Sequence, residues 1–478
     1  MTRRQLWITL SALMVAALAA SRLTVHGDLH YIARIAHAVA RGHLNVYQYF
    51  FTTPSLNRDI GGLTCPPLAY LFFGGAMAIG RLFGLFGAPI PAIPGLWLTP
   101  TEVLYLRVWY VPFVLLIGWV TRRFYQEFFH PGEETPCNAR LAQVVGTACP
   151  ITLFVSFSFG QFDVLPASLL YLGVYLLCRG RVLLGVLSVF GGIWLKNFPI
   201  VYLIIALPVI IGAYGPKRAL GSVAIGIALT WAMLWPFRGP GLDASYLAFQ
   251  YANFDVIAWS WGNVKPNLTD QLLVLLLLTS VVLASVRTNL ENWQKLVLLY
   301  LCSLVAVLAP RFWMPQYFAW IAPVFLLSFL AGLSLESALA SILYLAVAGA
   351  YLMATPALFP FNVDIRLFIN AGIAPAGIPA PGFLVGLDKR QALLWSATAI
   401  LLCVAPVIPA VRFLAPGWFA ARAPARRLSL RTQLLTTAAL SLAIYFGYIG
   451  IHMGHIAKYR YDLRHPASAA HPAPPPRH

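Results

Sequence analysis

The chain has 478 residues, 60% of them hydrophobic and only 10% charged, with 33 Lys and Arg against 15 Asp and Glu and a formal net charge of +18. An ordinary soluble domain carries roughly 25% charged residues, so this composition excludes a soluble globular enzyme, a disordered chain and a nucleic-acid-binding domain. The basic residues are scattered among short loops, the pattern that sets topology and contacts anionic lipid in a polytopic membrane protein.

The first apolar run follows Arg3-Arg4 and reaches Ala20. It reads as a cleavable signal peptide or as an uncleaved first span. We favour the span, because the segment after it is built to sit beside it. Further apolar runs lie at about 104–121, 141–159, 164–178, 182–196, 198–213, 219–236, 270–286, 293–309, 316–333, 335–355, 391–411 and 433–451. With the first they give about 13 transmembrane helices in an all-α polytopic protein. The stretches 66–87 and 367–385 are interrupted by Pro and Gly and read as interfacial or re-entrant. With 66–87 kept outside, the loops holding Arg122-Arg123, Arg179/Arg181, Lys217-Arg218, Arg287/Lys295 and Arg412 through Arg431 all face the side of Arg3-Arg4. Three larger segments, 23–103, 237–269 and 356–390, then lie on the outer face, with room to hold an acceptor there. The organisation expected is a module over 1–215, further spans over 216–453, and a disordered tail over 454–478, rich from His465 onward in Ala, Pro and His. The six cysteines form no CxxC pair, and most lie inside apolar runs, so they give neither a disulfide framework nor zinc spacing.

In the first outer loop, Ile32, Ile35, Ala36 and Val39 recur at helical spacing, while His30, Arg34, His37 and Arg41 occupy another face. The pattern predicts an amphipathic helix at the interface, stopped by Gly42. Asp28 stands at its start, either as an N-cap or as a catalytic carboxylate held at the membrane surface; the two roles are compatible. Tyr47 and Tyr49 follow, and Cys65-Pro66-Pro67-Leu68 opens a second loop helix.

Gly160-Gln161-Phe162-Asp163 is an abrupt polar break between apolar runs. Asp163 caps the next span or faces the same cavity as Asp28. Trp194-Leu195-Lys196-Asn197-Phe198-Pro199 interrupts the following hairpin. Lys196 either snorkels or grips a phosphate as a point charge, and its outward position favours the phosphate. Residues 249–267 alternate aromatics with amides around Asp255 and suit either an interfacial belt or stacking on sugars. Arg311, in Pro310-Arg311-Phe312-Trp313-Met314-Pro315-Gln316-Tyr317, is a second phosphate candidate.

Taken in order, these motifs resemble the GT-C class of membrane glycosyltransferases. More narrowly they resemble the polyprenyl-phosphate-mannose-dependent mannosyltransferases, including the bacterial lipid-linked family and the catalytic subunit of the first GPI mannosyltransferase. The matching positions are Gly27-Asp28, Gly42 through Tyr47, Cys65-Pro66-Pro67-Leu68, Gly160-Gln161-Phe162-Asp163, Lys196-Asn197-Phe198-Pro199, and Gln316-Tyr317 through Trp320 and Pro323. The resemblance is clearest over about 1–215 and thinner to about 325. A single Asp28 stands where many relatives carry an Asp-x-Asp-like pair, which weakens a metal role, and Cys65 stands where an aromatic is usual.

The resemblance implies a GT-C-like fold and an inverting transfer of a sugar, mannose first, from a polyprenyl-phosphate-linked donor to a glycan or glycolipid acceptor. Asp28 would be the general base. Lys196 and Arg311 would bind the donor phosphate. Asp163, Gln161, Tyr47, Gln316, Tyr317 and Asp255 would contact sugar or acceptor. No cofactor is required, though a divalent metal stays open, and the partners expected are the lipid-linked donor, the acceptor and membrane lipid, without nucleic acid. The bacterial relatives imply an inner-membrane location with the site facing the periplasm or exterior. The rival readings are a flippase or transporter for lipid-linked saccharides, another transferase on the same architecture, and a non-catalytic assembly subunit. A transporter predicts acids along a pathway within its spans, whereas most acids here fall outside the apolar runs.

Overall fold

The computed structural model describes residues 1–22, 27–53, 63, 65–86, 99–132, 136–247, 290–308, 318–334, 341–349, 352 and 429–464. These residues are mostly helical, with no strand among them. Helix α1 (Arg3–Ser21) opens with a capping box: Gln5 N–H donates to Thr2 Oγ1 and Thr2 N–H to Gln5 Oε1. Leu6, Leu10, Leu13, Met14, Ala17 and Ser21 form its buried stripe, while Trp7, Ile8 and Val15 face outward. That division suits a span packed on one side and bathed in lipid on the other.

Helix α2 (Gly27–Ala40) buries Ile32, Ile35, Ala36 and Val39, the apolar face the sequence marks. It begins at Gly27, so Asp28 lies in its first turn and not at the N-cap. The polar face is also engaged: His37 Nε2 lies 2.9 Å from Glu102 Oε1, and Arg81 Nη2 lies 3.3 Å from His37 Nδ1. The polar face is thus engaged through His37, while Arg41 at its end stays exposed. After α3 (Val46–Phe51), the Pro66-Pro67 step starts α4 (Pro67–Leu82), with proline where the missing N–H is harmless. Helices α2 and α4 pack closely because Gly74 has no side chain; a Cβ there would come within 2.2 Å of Val39 Cγ1.

The expected run 104–121 is longer and jointed. It comprises α5 (Pro100–Val108), capped by Thr99 and Glu102, and α6 (Val111–Phe124), which continues as a π-helical turn over Tyr125–Phe129. The run 141–159 is split at Pro150 into α7 (Pro136–Thr147) and α8 (Pro150–Leu153), the latter extended by a π-helical segment Phe154–Phe159. The halves bend by 42°, as expected where a proline removes a donor and crowds the preceding turn. Helices α9 (Val164–Cys178), α10 (Val182–Leu195), α11 (Pro199–Tyr214) and α12 (Pro216–Leu234) then follow the hydropathy closely, and α13 (Asn292–Leu308) and α14 (Phe318–Ser334) lie further on. The last described helix, α15 (Leu430–Arg464), runs through residues 454–464, where the composition predicts a disordered tail; 465–478 lie outside the described residues.

Among the described residues, four helices are long and apolar enough to cross a membrane, or five if the bent pair counts as one span. The chain is thus a helical protein with membrane-spanning segments. Several basic helix ends meet. Arg140 Nη1 donates to Met1 O at 2.6 Å, Arg123 and Arg179 share Glu127, and Cys178 Sγ reaches Trp293 O. The ends of α1, α6, α7, α9 and α13 that carry basic residues are thereby gathered together.

Candidate functional site

The site is built where α9, α10, α11 and α14 approach one another. The π-helical segment ends in Gly160 at φ +78, a left-handed conformation that favours glycine. Glycine is doubly required, because a Cβ would come within 2.9 Å of Arg107 Nη2. The turn then delivers Gln161, whose N–H donates to Val155 O, and Asp163 at the head of α9. Asp163 occupies the N-cap position, yet its side chain makes no cap hydrogen bond. It is fully buried, and its Oδ1 accepts from Lys196 Nζ at 2.7 Å and from the Trp320 indole N–H at 2.5 Å.

Lys196 follows the last turn of α10 in extended backbone, so its side chain leaves the helix axis and turns back toward Asp163. Its ammonium lies 5.4 Å from the centroid of the Phe162 ring and 5.5 Å from that of Trp320. Trp320 in turn stacks on Phe198 at 3.9 Å. A carboxylate with no solvent contact is stable here because a cation and an indole donor meet it. The Lys196 side chain is 23% exposed, whereas that of Asp163 is not exposed at all.

A second cluster supports the hairpin from the side of α3. Tyr47 is buried and donates to Cys65 O at 2.6 Å; its ring lies near Tyr70, Phe237 and Tyr246. Tyr246 donates to Asn197 Oδ1, next to Lys196. Burial pushes the Tyr246 phenol up to about 12, against the opposing pull of its bond to Asn197, so it remains a neutral donor. At the far side of α2, burial and the nearby Arg41 charge pull the Arg81 guanidinium below its ordinary value, opposed by Glu102.

The structure brings Asp163 and Lys196 together and places Gln161 two residues before the acid in the same buried turn. Tyr47 sits in the aromatic cluster linked to Asn197 through Tyr246 and is enclosed by other rings. Asp28 is in the first turn of α2, with its carboxylate outside the described residues; its neighbour Leu29 is fully buried, with Cδ2 3.3 Å from where a Cβ on Gly160 would stand. The start of α2 therefore abuts the Gly160 turn. Arg311, Gln316, Tyr317 and Asp255 lie outside the described residues.

Arg107, which no motif marks in the sequence, is central here. It is fully buried, donates to the carbonyl of Ser21 at the end of α1, and donates to that of Ser158 at 3.1 Å. Tyr110, one turn later, donates to Gly160 O. Arg107 thus ties the exit of the first span to the turn that carries Asp163. A lone arginine within an apolar run was the available signal, since such residues are rare in spans and need partners. Among the described residues no group of three or more His, Cys, Asp or Glu could hold a metal ion.

No family model, curated protein or solved structure matches this chain.

Proposed function

We propose that the protein is a membrane glycosyltransferase of GT-C-like architecture with about 13 spans, the outer segments carrying the site. It moves a sugar, with mannose first in line, from a polyprenyl-phosphate-linked donor to a glycan or glycolipid acceptor at the extracytoplasmic face of the inner membrane. The observation that carries this reading is the partly exposed Lys196 side chain, its ammonium paired with a fully buried Asp163 beside the Gly160 turn that the start of α2 abuts. An ammonium paired with a carboxylate can be passed to a phosphate, which offers several acceptor oxygens.

In the reaction we assign, the carboxylate of Asp28 takes the proton of an acceptor hydroxyl as that oxygen attacks the anomeric carbon. The bond between that carbon and the phosphate oxygen breaks, and polyprenyl phosphate leaves with the electron pair. Lys196 meets the charge on the departing phosphate, and Arg311 is a second candidate for the same task. Attack opposite the leaving group inverts the anomeric centre. Asp163 is better suited by its contacts to orient Lys196 and Trp320 than to face the sugar. Gln161, Tyr47, Gln316, Tyr317 and Asp255 are assigned to the surroundings of sugar and acceptor.

The test is transfer by the purified protein from synthetic polyprenyl-phosphate mannose to an extracted glycolipid fraction. Asp28→Asn should abolish transfer while the protein still folds and binds donor. Transfer at the parental rate by the variant overturns the assignment of the base, and absence of transfer by the parent with mannose, glucose, arabinose and galactose donors overturns the reading.

A further inference from the structure

Helices α1, α6 and α7 bring four guanidiniums together. Arg3 opens α1, Arg122 and Arg123 lie in the last turn of α6, and Arg140 lies on α7, where its Nη1 donates to Met1 O. The charges of Arg140, Arg123 and Arg3 all act on Arg122. Glu127, the carboxylate at this end, is taken by Arg123 and by Arg179 at the end of α9. Among the described residues Arg3, Arg122 and Arg140 form no ion pair. Arg122 is instead steadied by neutral amides: its Nε donates to Gln126 Oε1 at 3.3 Å and its Nη1 to Gln143 Oε1 at 3.4 Å. Its Nη2 makes no hydrogen bond among the described residues, and neither do Nε and Nη2 of Arg140.

Like charges gathered in this way repel one another and favour an anion between them. Arginine suits phosphate because its planar fork donates two parallel hydrogen bonds. The position of the cluster selects the source of the anion. Arg3–Ser21 and Thr101–Phe129 are both long and apolar enough to cross a membrane. Arg3 begins the first, and Arg122 follows the apolar run 104–121 of the second. Trp119, which is 38% exposed, stands one turn before Arg123, whose guanidinium lies 5.8 Å from its ring centroid. Tryptophan collects at the level of lipid headgroups. At the other end of α1, Arg107 joins Ser21 O to Ser158 O beside the Gly160 turn. The 19 residues of α1 rise about 28 Å, close to a hydrocarbon core of about 30 Å. The cluster and the Lys196 site thus lie at opposite faces of the membrane.

We propose that the guanidiniums of Arg3, Arg122 and Arg140 form a binding site for the phosphate of an anionic phospholipid, in the leaflet at the Met1 end of α1. Basic loops orient membrane proteins without holding any one lipid. Here three helices converge on one headgroup, and the bound lipid ties α1 to α6 and α7. The inference is independent of the sugar-transfer reading.

The test is retention of lipid by the full-length protein in detergent, with phosphatidylglycerol and phosphatidylcholine added in equal amounts and counted by native mass spectrometry. The parent should retain phosphatidylglycerol in preference to phosphatidylcholine. Each basic residue near an anionic lipid contributes about fivefold in affinity, so Arg122→Gln/Arg140→Gln should bind phosphatidylglycerol about thirtyfold more weakly. Lys217→Gln/Arg218→Gln, which removes an exposed basic pair at the start of α12, should bind it as the parent does. Equal affinities in the two double variants overturn the proposal. Displacement of the lipid by millimolar inorganic phosphate also overturns it, since the site would then be one for a free anion. The parent protein gives a second reading that no folding defect can mask. p-Hydroxyphenylglyoxal modifies accessible guanidiniums, and the rate at each arginine is read from peptide mass. Phosphatidylglycerol at about ten times its dissociation constant should slow modification of Arg122 and Arg140 about tenfold relative to phosphatidylcholine, and leave Arg218 unchanged. Equal rates in the two lipids at all three positions overturn the proposal.

Discussion

Replacing Lys196 by alanine strips a cation from a carboxylate that has no contact with solvent, whereas replacing Asp163 by asparagine frees a lysine that is already 23% exposed. The two changes should therefore be unequal. At 2.7 Å and an effective dielectric of about 20, the attraction between unit charges is roughly 6 kcal/mol. Desolvation of the buried carboxylate offsets a large part of it. Removing one partner of a buried pair generally costs about 3–5 kcal/mol, and the partial exposure of Lys196 points to the lower end. We expect Lys196→Ala to lose about 3 kcal/mol. Asp163→Asn keeps an acceptor for Trp320 and lets the ammonium reach water, so its loss should be about 1–2 kcal/mol. The double variant should be no less stable than Asp163→Asn by more than a few tenths of a kcal/mol, giving a coupling of at least about 2 kcal/mol. Equilibrium unfolding in mixed micelles, run as a double-mutant cycle, measures this. Additive single losses, with coupling under about 0.5 kcal/mol, would refute the argument that the pair holds the site together.

Arg107→Lys keeps the charge but cannot span the carbonyls of Ser21 and Ser158 together; we expect about 1.5–3 kcal/mol of destabilisation in the same unfolding assay, and a parental midpoint would remove its bridging role. Gly160→Ala should lose more stability than Gly84→Ala. Both glycines have positive φ, which disfavours alanine by about 1–2 kcal/mol, but only Gly160 has Arg107 against the added methyl; equal losses contradict the close approach. Because the proposed chemistry uses the carboxylate of Asp28 and the ammonium of Lys196, transfer should be undiminished in excess chelator. Abolition by chelator, with recovery on adding a divalent ion, would require a metal in the mechanism.

Helix positions were legible where hydropathy alone decides them, as in α9 through α12, because apolar length is what a bilayer demands. The joints were not. The break at Pro150 was written in the sequence as a proline within an apolar run. The π-helical segment after it carries no comparable mark in Phe154–Phe159. At Asp163, residue type and turn position identified a polar group needing a partner, and the hairpin lysine was singled out separately. Their pairing was not legible, since 33 residues separate them and only the packing of α9 on α10 brings them together. The amphipathic pattern of α2 gave its buried face correctly but not the engagement of His37 by Glu102 and Arg81, which depends on helices distant in sequence. Arg107 was hidden by its apolar neighbours, and its carbonyl partners come from two other segments.

The most direct measurement is a cryo-electron microscopy map of the protein with polyprenyl phosphate bound in a nanodisc. The account expects the phosphate beside the Lys196 ammonium, with the amine drawn away from Asp163 and the isoprenoid tail running between helices toward the membrane. A phosphate seated at the basic helix ends around Arg140 and Arg179, with the Lys196–Asp163 pair intact, would contradict it.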